Sequence, residues 1–291
     1  MTARAAASPD GLPPLGEVLR NLGHTARKSH GQNFIHDLNL TRRIARAAGP
    51  LEGRTVLEVG PGPGGLTRAL FLEGAERVVA VERDERCRPA LEAIAQRYPG
   101  RFDVLFGDAL TTGWPALFPK GASKPIVAAN LPYNIATLLL IGWLESDPWP
   151  PWYLRLVLMF QREVAQRIVA APGSKAYGRL AVIAQWRTRP RLLFNVNPEA
   201  FTPPPSVASA LVELTPTDIP SPPCRVATLG TVTAAAFGQR RKMLRQSLRA
   251  LSSQPEALLA AAGIAPTLRA EALSVPDFAR LAYVFERLPG S

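Results

Sequence analysis

The stretch TVLEVGPGPGGLT (residues 55–67) decides the predicted fold. It starts as a short apolar run that is typical of a buried strand, passes through a glycine-rich turn and continues as a helical pattern. Gly60, Gly62 and Gly65 have the spacing G-x-G-x-x-G, which lets a backbone turn tightly and come close to a ligand. The stretch therefore predicts a strand, a ligand-binding loop and a helix, although a glycine-rich turn without a ligand has the same spacing.

The alternation of apolar runs and helical patterns extends to both sides of this stretch. A helical pattern begins at Asp37, and further helical patterns separate five apolar runs. The predicted strands are residues 55–60, 77–82, 102–108, 125–130 and 153–160. Such alternation favours right-handed βαβ units and a mostly parallel sheet, that is, an α/β fold. Two further strand-like runs, RLLFNV and SALVEL, lie within residues 189–214 and predict an antiparallel end to the sheet.

Proline content marks the predicted domain limits. Several prolines and glycines in residues 1–20 predict a flexible arm. Residues 21–215 then form the predicted α/β domain, and residues 216–291, which have apolar residues at helical spacing, form a small C-terminal helical domain. The boundary rests on four prolines that follow the last predicted strand, namely Pro216, Pro220, Pro222 and Pro223.

Composition limits the class of protein. The chain has 291 residues, of which 47% are hydrophobic, and this share allows a full core. No apolar run approaches the roughly 20 residues of a membrane helix, and the first ten residues lack the apolar core of a secretory signal. The two cysteines, Cys87 and Cys224, do not make a disulfide framework, so a cytoplasmic location is expected.

The charge is strongly positive and unevenly distributed. The net charge is +11, and most of the basic residues are arginines. Residues 50–152 hold twelve acidic and ten basic side chains, whereas residues 153–191 hold one acidic and eight basic. Guanidinium groups suit phosphates and base edges, so a nucleic-acid partner is expected for the basic parts. A GC-rich coding sequence, which raises the arginine content by itself, is the alternative.

Two carboxylates follow the strands next to the glycine loop. Glu82 ends the second strand, 22 residues after Gly60, where a carboxylate can accept hydrogen bonds from ribose hydroxyls. Asp108 follows the third strand, where its carboxylate can accept a hydrogen bond from an adenine amino group or cap a helix. The constellation fits a nicotinamide cofactor as well as S-adenosylmethionine. Pro61 and Pro63 favour the latter, because they remove two N–H groups that a pyrophosphate site would use.

The motif NLPYN (residues 130–134) follows the fourth strand, at the sheet edge where ligands bind in open α/β folds. The side-chain oxygen of Asn130 and the carbonyl of Leu131 can accept hydrogen bonds from the two N–H groups of an adenine amine. These contacts direct the lone pair of the amine nitrogen towards a methyl sulfonium. Tyr133 can stack on the base. Positioning and desolvation would then supply most of the acceleration. A strand-to-helix turn, with Asn130 as N-cap and a packed tyrosine, is the alternative reading.

Taken in order along the chain, these motifs resemble those of the ribosomal RNA adenine N6,N6-dimethyltransferase family. The matching segments are GQNF (31–34), LEVGPGPGGLT (57–67), VE (81–82), GDA (107–109), NLPYNI (130–135), QREVAQRIVAAPGSKAYGRLAVIAQ (161–185), FTPPPSV (201–207) and AFGQRRKMLRQSL (236–248). Related enzymes that methylate large-subunit rRNA usually read Asn-Ile-Pro-Tyr at the turn. The resemblance is therefore to the small-subunit branch, the bacterial kasugamycin-resistance methyltransferase type.

The resemblance implies a Rossmann-like class I methyltransferase sheet and an enzyme of ribosome biogenesis. Its reaction would be the dimethylation, from S-adenosyl-L-methionine, of the N6 amines of two adjacent adenosines near the 3′ end of 16S rRNA. The partner would be 16S rRNA within the small ribosomal subunit or its precursor, and a monomer is expected. The resemblance assigns the cofactor to Asn33, Ile35, Gly60, Glu82, Asp108 and Asn130, and the target adenine to Asn130, Leu131, Tyr133 and Phe201. A non-catalytic ribosome-assembly factor on a methyltransferase fold is the competing hypothesis.

The segment AFGQRRKMLRQSLRAL (236–251) predicts one helix with an apolar stripe and a separate stripe of arginines four residues apart. RNA contacts are expected from Arg240, Arg241, Lys242 and Arg245, and a solvated helix face is the alternative.

Two smaller features complete the sequence. Family members usually carry Lys and Asp where this chain has Ser206 to Ser209, a departure that concerns one local RNA or packing contact. His24, His30 and His36 are spaced by six residues and match no usual zinc pattern, so no metal site is expected.

Overall fold

A computed structural model of the chain describes residues 8–21, 33–119, 121–218 and 222–287. These residues fall into two compact units. The first unit comprises the chain up to Leu140, Trp152–Ala165 and Leu192–Glu213, and the second comprises Ile141–Pro151, Gln166–Arg191 and the chain from Leu214 onward. None of the helices in the described ranges is long and apolar enough to cross a membrane.

Helices and strands alternate through most of the described chain. The α-helices are α1 (Leu15–Asn21), α2 (Leu38–Ala48), α3 (Gly65–Leu72), α4 (Arg88–Arg97), α5 (Tyr133–Leu144), α6 (Arg162–Ile168), α7 (Arg179–Arg187), α8 (Val226–Gly238), α9 (Leu244–Ser247), α10 (Pro255–Ala261) and α11 (Val275–Phe285). The strands are β1 (Phe34–Ile35), β2 (Thr55–Val59), β3 (Arg77–Glu82), β4 (Phe102–Phe106), β5 (Ile126–Asn130), β6 (Arg155–Gln161), β7 (Thr188–Val196), β8 (Phe201–Thr202) and β9 (Ser209–Pro216). Short 3₁₀ helices cover Glu85–Cys87, Ala109–Thr111, Trp114–Leu117, Pro198–Ala200, Leu248–Ala250 and Ala270–Ala272.

Seven strands form one sheet in the order β4-β3-β2-β5-β6-β9-β7, and the neighbours from β4 to β6 are parallel. β9 is antiparallel to β6, since a hydrogen bond joins the end of β6 to the start of β9. In this bond the amide of Arg162 donates to the carbonyl of Ala208 (2.9 Å). Likewise the amide of Thr217, after β9, donates to the carbonyl of Arg187, before β7 (3.0 Å). The predicted mostly parallel α/β sheet with an antiparallel end is therefore confirmed, and the antiparallel strand is the last but one.

The central strands are apolar on both faces because helices cover the sheet. Val56, Ala80, Ala128 and Val157, one from each of the four central strands, are completely buried and belong to one apolar core. Helix α2 packs on this core and begins as predicted at Asp37, whose carboxylate accepts the amide of Asn39 (2.8 Å). Since these four strands are parallel, their carboxyl ends meet at one edge of the sheet.

The segment 8–21 corrects the prediction of a flexible arm. Helix α1 buries Leu15, and Asp10 before it forms a buried ion pair with Arg68 of α3, with Nε and Oδ2 at 2.6 Å. Proline content alone does not reveal this contact, because the partner lies 58 positions away in the sequence. Residues 1–7 of the predicted arm lie outside the described residues.

A separate helical core forms the second unit. Helices α7, α8, α10 and α11 meet through buried apolar side chains that include Trp186, Leu229, Leu258 and Phe278, respectively. Helix α7 thus packs with helices that follow it by more than 35 residues. The units therefore differ from the predicted division into 21–215 and 216–291, because tertiary packing rather than the proline-rich stretch decides where α7 belongs.

The prediction of one helix over residues 236–251 is wrong. Helix α8 ends at Gly238, and α9 begins only at Leu244. The amide of Leu244 donates to the carbonyl of Leu268 (2.7 Å), so a tertiary contact replaces the hydrogen bond that a continuous helix would have formed. The arginines of this segment consequently do not form one helical stripe.

Candidate active site

Two adjoining clefts lie at the carboxyl edge of the parallel strands. The first, called the turn cleft, has a volume of about 390 Å³ and is lined by Asn33, Phe34, Gly60, Glu82 and residues 130–133. The second, called the strand-end cleft, has a volume of about 570 Å³ and is lined by Val59, Gly60, residues 81–84, residues 107–109, Pro132, Asn134 and Ile135. Gly60, Glu82 and Pro132 line both clefts, so one elongated ligand can reach from one into the other.

The glycine loop needs small residues because an aromatic ring lies against it. Gly62 has a φ of 55°, and a Cβ atom at this position would come within 2.5 Å of the ring of Phe34. Gly60 also has a positive φ, and its amide donates to the carbonyl of Val81 (2.9 Å). The loop is thereby fixed to the end of β3, which leads into Glu82.

Glu82 is buried and is bonded to backbone amides on both of its oxygens. Oε2 accepts the amide of Gly62 (2.8 Å), and Oε1 accepts the amides of Arg83 (2.8 Å) and Asp84 (2.7 Å). Burial raises the pKa of Glu82, and these amides oppose part of that effect. Since a carboxylate has about four acceptor positions, one position on Oε2 remains for a ligand hydroxyl.

Glu58 is a carboxylate beneath the loop to which the motif assigns no role. Its side chain is buried in β2 and accepts the hydroxyl of Thr67 (2.6 Å). Burial raises its pKa to about 8, and the nearby Glu82 adds to this shift. The signal in the sequence is an acidic residue within an otherwise apolar buried strand.

Asp108 lies at the end of the strand-end cleft and caps the 3₁₀ helix that follows it. Its Oδ1 accepts the amide of Leu110 (2.9 Å), as expected for the capping alternative. Its Oδ2 lies 3.5 Å from the guanidinium of Arg83. The side chain is about one-third exposed, so it can still accept a hydrogen bond from a ligand in the cleft.

Asn130 ends β5 in the turn cleft and is held by its amide group. Nδ2 donates to the backbone carbonyl of Asn33 (2.9 Å), a residue 97 positions earlier. No donor to Oδ1 is found in the described part of the chain, so this oxygen is available as an acceptor. Pro132 directly precedes helix α5, and its carbonyl accepts the amide of Ala136 (3.0 Å) as the first hydrogen bond of that helix. The motif thus combines a strand end, an oriented amide and a helix start.

The other two residues of the turn have different environments. The side chain of Leu131 is buried, so only its backbone can face a ligand. Tyr133 is half-buried, and its hydroxyl lies 2.5 Å from Oγ of the buried Ser209. Burial raises the pKa of Tyr133, so the ring stays uncharged at neutral pH.

Ile35 and Phe201 line neither cleft. They face each other in the antiparallel pair of β1 and β8, and both side chains belong to the apolar core. Phe201 is 2% exposed, so its predicted stacking on a base is not observed in this arrangement. The aromatic side chain from this pair that does line the turn cleft is Phe34.

The four basic residues predicted to contact RNA lie in the second unit, on the basic segment (residues 239–249). All four side chains are exposed. Arg240 is partly used within the protein, since it donates to the carbonyl of Lys175 (2.7 Å) and to Glu271 (3.2 Å). Arg245 lies 3.9 Å from Glu256. Arg241 and Lys242 are the most available to an external phosphate.

Of the three histidines, only His36 lies within the described residues. His36 is exposed and pairs with the hydroxyl of Thr202 (3.1 Å), and His24 and His30 lie outside the described residues. Within the described ranges, no group of three or more potential metal ligands occurs.

Known proteins are similar in sequence to this chain over nearly its whole length. Residues 23–287 match the family model described as ribosomal RNA adenine dimethylase. Ribosomal RNA small subunit methyltransferase A of Xanthobacter autotrophicus is 61% identical over 279 residues, which cover 96% of each chain. The protein of the same name from Rhodopseudomonas palustris is 59% identical over 281 residues, which cover 97% of each chain.

The fold also matches that of a solved structure. A dimethyladenosine transferase from Plasmodium falciparum superposes with a TM-score of 0.70 at 24% identity, over 86% of this chain and 96% of that one. This likeness supports the class I methyltransferase architecture independently of the local motifs.

Proposed function

Because this chain belongs to the ribosomal RNA adenine dimethylase family, we propose that it dimethylates the N6 amines of two adjacent adenosines in the RNA of the small ribosomal subunit, using S-adenosyl-L-methionine. The names of the relatives support small-subunit RNA as the substrate. The observation that carries the proposal is the orientation of Asn130. Its Nδ2 is held by the carbonyl of Asn33, which leaves Oδ1 to accept a substrate N–H within the turn cleft.

The residues of the two clefts fit the cofactor in chemistry. S-adenosylmethionine supplies an electrophilic methyl group on a positively charged sulfur. Glu82 has one acceptor position left for a ribose hydroxyl, and Asp108 is accessible to the adenine amino group at the other end of the strand-end cleft. Gly60 and Asn33 provide close backbone approach, and Ile35 would contribute only through its main chain.

The proposed chemistry of the turn is positional. Asn130 Oδ1 and the carbonyl of Leu131 accept hydrogen bonds from the two N–H groups of the target amine. The lone pair of the amine nitrogen therefore turns out of the ring plane. Tyr133 holds the base by stacking. Desolvation in the cleft strengthens these contacts, and no nucleophilic side chain is required.

We assign RNA contacts outside the clefts to the basic segment. Arg241 and Lys242 are exposed charges suited to phosphate, and Arg245 is only weakly paired. Arg240 already donates from Nε to Glu271 and from Nη2 to the carbonyl of Lys175, so it would contact RNA through its remaining N–H groups. The predicted monomer and the predicted cytoplasmic location stay predictions.

Methyl transfer to small ribosomal subunits tests the function directly. Subunits from a strain that lacks this methylation are incubated with the protein and cofactor labelled in the methyl group. We expect label in 16S rRNA, with N6,N6-dimethyladenosine as the product in nucleoside mass spectrometry. Subunits from a methylated strain serve as the control and should accept almost no label.

The competing hypothesis, a non-catalytic assembly factor, predicts a different result. Such a protein would bind small subunits without transferring label and need not bind the cofactor, which calorimetry measures independently. Binding of subunits without any methyl transfer would therefore overturn the proposed enzyme and favour the assembly factor.

A further inference from the structure

A buried serine contacts the tyrosine of the turn. Ser209 is the first residue of β9, its side chain is fully buried, and its Oγ lies 2.5 Å from Oη of Tyr133. The two residues are 76 positions apart in the sequence. Ser209 closes the segment 206–209, where the chain lacks the charges that the family usually carries. The segment therefore contacts the turn through the hydroxyl of Ser209 and not through a charge.

The sheet topology explains why Ser209 reaches the turn. The turn follows the carboxyl end of β5, and β9 lies two strands away in the order β5-β6-β9. Because β9 is antiparallel to β6, its first residue, and not its last, lies at the edge where the parallel strands end. The carbonyl of Ala208 also accepts the amide of Arg162 (2.9 Å), so the start of β9 is fixed to the end of β6. Ser209 is therefore presented by a rigid element.

The hydrogen bond restrains the tyrosine ring at its far end. Tyr133 is the first residue of α5, so the helix fixes its backbone but leaves the rotation of the ring to local contacts. Stacking requires a defined ring plane, and a hydrogen bond to the hydroxyl restricts that plane. Burial raises the pKa of Tyr133, and the hydrogen bond with Ser209 opposes part of that effect.

We propose that Ser209 is a positioning residue that holds the ring of Tyr133 in the plane required to stack on the target adenine. This inference rests on the proposed function, because it assigns the ring a base to stack on. Ser209 touches neither base nor cofactor, and it acts only through the tyrosine.

A double-mutant cycle tests the proposal. Ser209→Ala and Tyr133→Phe remove the same hydrogen bond from opposite sides. In methyl transfer to unmethylated small subunits, we expect each variant to lower kcat by about 3- to 10-fold, the worth of one neutral hydrogen bond. The double variant should be no slower than the slower single variant, because the shared contact is already lost. The KM for the cofactor should stay unchanged in all three.

Two controls separate positioning from general damage. Ser206→Ala changes an exposed serine of the same segment and should behave as the wild type. Ser209→Thr keeps a hydroxyl and should recover most of the lost kcat. Thermal unfolding and cofactor calorimetry are run on every variant, and Tyr133→Phe carries the test if Ser209→Ala does not fold.

A second readout does not depend on methyl transfer. An RNA oligonucleotide with 2-aminopurine in place of the target adenine reports stacking by fluorescence quenching. We expect equally reduced quenching with Ser209→Ala and Tyr133→Phe. Losses in kcat that multiply in the double variant, or wild-type kcat and quenching in Ser209→Ala, would overturn the proposal. An inactive wild type with normal quenching would instead count against the proposed function.

Discussion

The polar side chains around the clefts and those of the basic segment differ in how firmly the protein holds them. Asn130, Glu82 and Tyr133 each contact a specific protein atom at 2.5–2.9 Å. In the basic segment, Arg240 is held by Lys175 and Glu271, whereas Arg245 approaches Glu256 only to 3.9 Å and both side chains of that pair are exposed. Side chains that are held act through their geometry, so the loss of one contact is expected to lower activity or stability markedly. Exposed charges act through their number and are screened by salt.

The ion pair of Asp10 and Arg68 in the first unit is the strongest example of side chains held by buried contacts. Their side chains are 0% and 2% exposed, and two hydrogen bonds join them. Replacing Asp10 with Ala leaves a buried guanidinium without its counter-charge. We therefore expect the free energy of unfolding, measured in urea, to fall by about 3–5 kcal/mol.

An exposed pair provides the control for this prediction. Asp103→Ala breaks the ion pair with Arg77, in which both side chains are at least 40% exposed. It should cost less than about 1 kcal/mol. Similar losses in Asp10→Ala and Asp103→Ala would mean that residues 8–21 are not docked as the structure describes.

The second prediction concerns the turn itself. Asn130→Ala removes the acceptor for the target amine and the contact with Asn33. By analogy with the loss of one preorganised polar group in other active sites, kcat should fall on the order of 10²- to 10³-fold. Binding of small subunits should remain close to that of the wild type, because phosphate contacts supply most of the affinity for a large RNA and Asn130 carries no charge. Single-turnover methyl transfer and filter binding measure the two quantities.

Asn195→Ala is the matched control, since Asn195 is an exposed asparagine of β7 in the same unit. It should keep full turnover. Full turnover in Asn130→Ala as well would show that the turn does not perform the proposed chemistry.

A pH-dependent effect on stability is expected from Glu58, the buried acid next to the glycine loop. The folded-state pKa of Glu58, about 8, lies above its ordinary value, so the folded state holds the proton more tightly. Its contribution to stability is complete below about pH 4.5 and is lost as the pH rises towards 8. Glu58→Gln removes this dependence but keeps an acceptor for Thr67. The difference in unfolding free energy between wild type and variant should therefore change by about 3–4 kcal/mol between pH 5 and 8.

Urea unfolding at pH 5, 6.5 and 8 measures this change. Glu92→Gln, which alters an exposed glutamate of α4, should follow the wild type at every pH. A wild type and a Glu58→Gln variant with parallel pH dependence would contradict a raised pKa at Glu58.

The held residues were predictable from the sequence only where neighbours along the chain carry the signal. The glycine loop, Glu82 and Asn130 belong to short motifs at strand ends, so their order along the chain already predicts a shared edge. Ser209 and Asp10 are single polar residues in proline-rich stretches, and their partners Tyr133 and Arg68 lie 76 and 58 positions away. No local pattern encodes such contacts, because they depend on strand order and on helix docking.

In the basic segment, the sequence predicts the charges correctly but the secondary structure wrongly. Its apolar spacing predicts a continuous helix, but the contact between Leu244 and Leu268 interrupts it. The residue types still predict the charges correctly, because exposed arginines need no fixed geometry. Phe201 is a third case, in which the family resemblance predicts stacking on a base and the structure buries the ring in the core.

The smallest expected effect is the most direct test of the exposed charges. Arg241→Glu and Lys242→Glu should each weaken subunit binding modestly and lower the slope of log K against log salt by about 0.7–0.9 per lost phosphate contact. Arg54→Glu makes the same charge change at an exposed position before β2, at the edge opposite the clefts, and should leave the slope unchanged. Filter binding from 50 to 300 mM KCl, roughly the range in which phosphate contacts dominate, measures the slopes. An unchanged slope in Arg241→Glu and Lys242→Glu would assign RNA binding to other parts of the chain, and the contrast between held and exposed groups would then apply to stability alone.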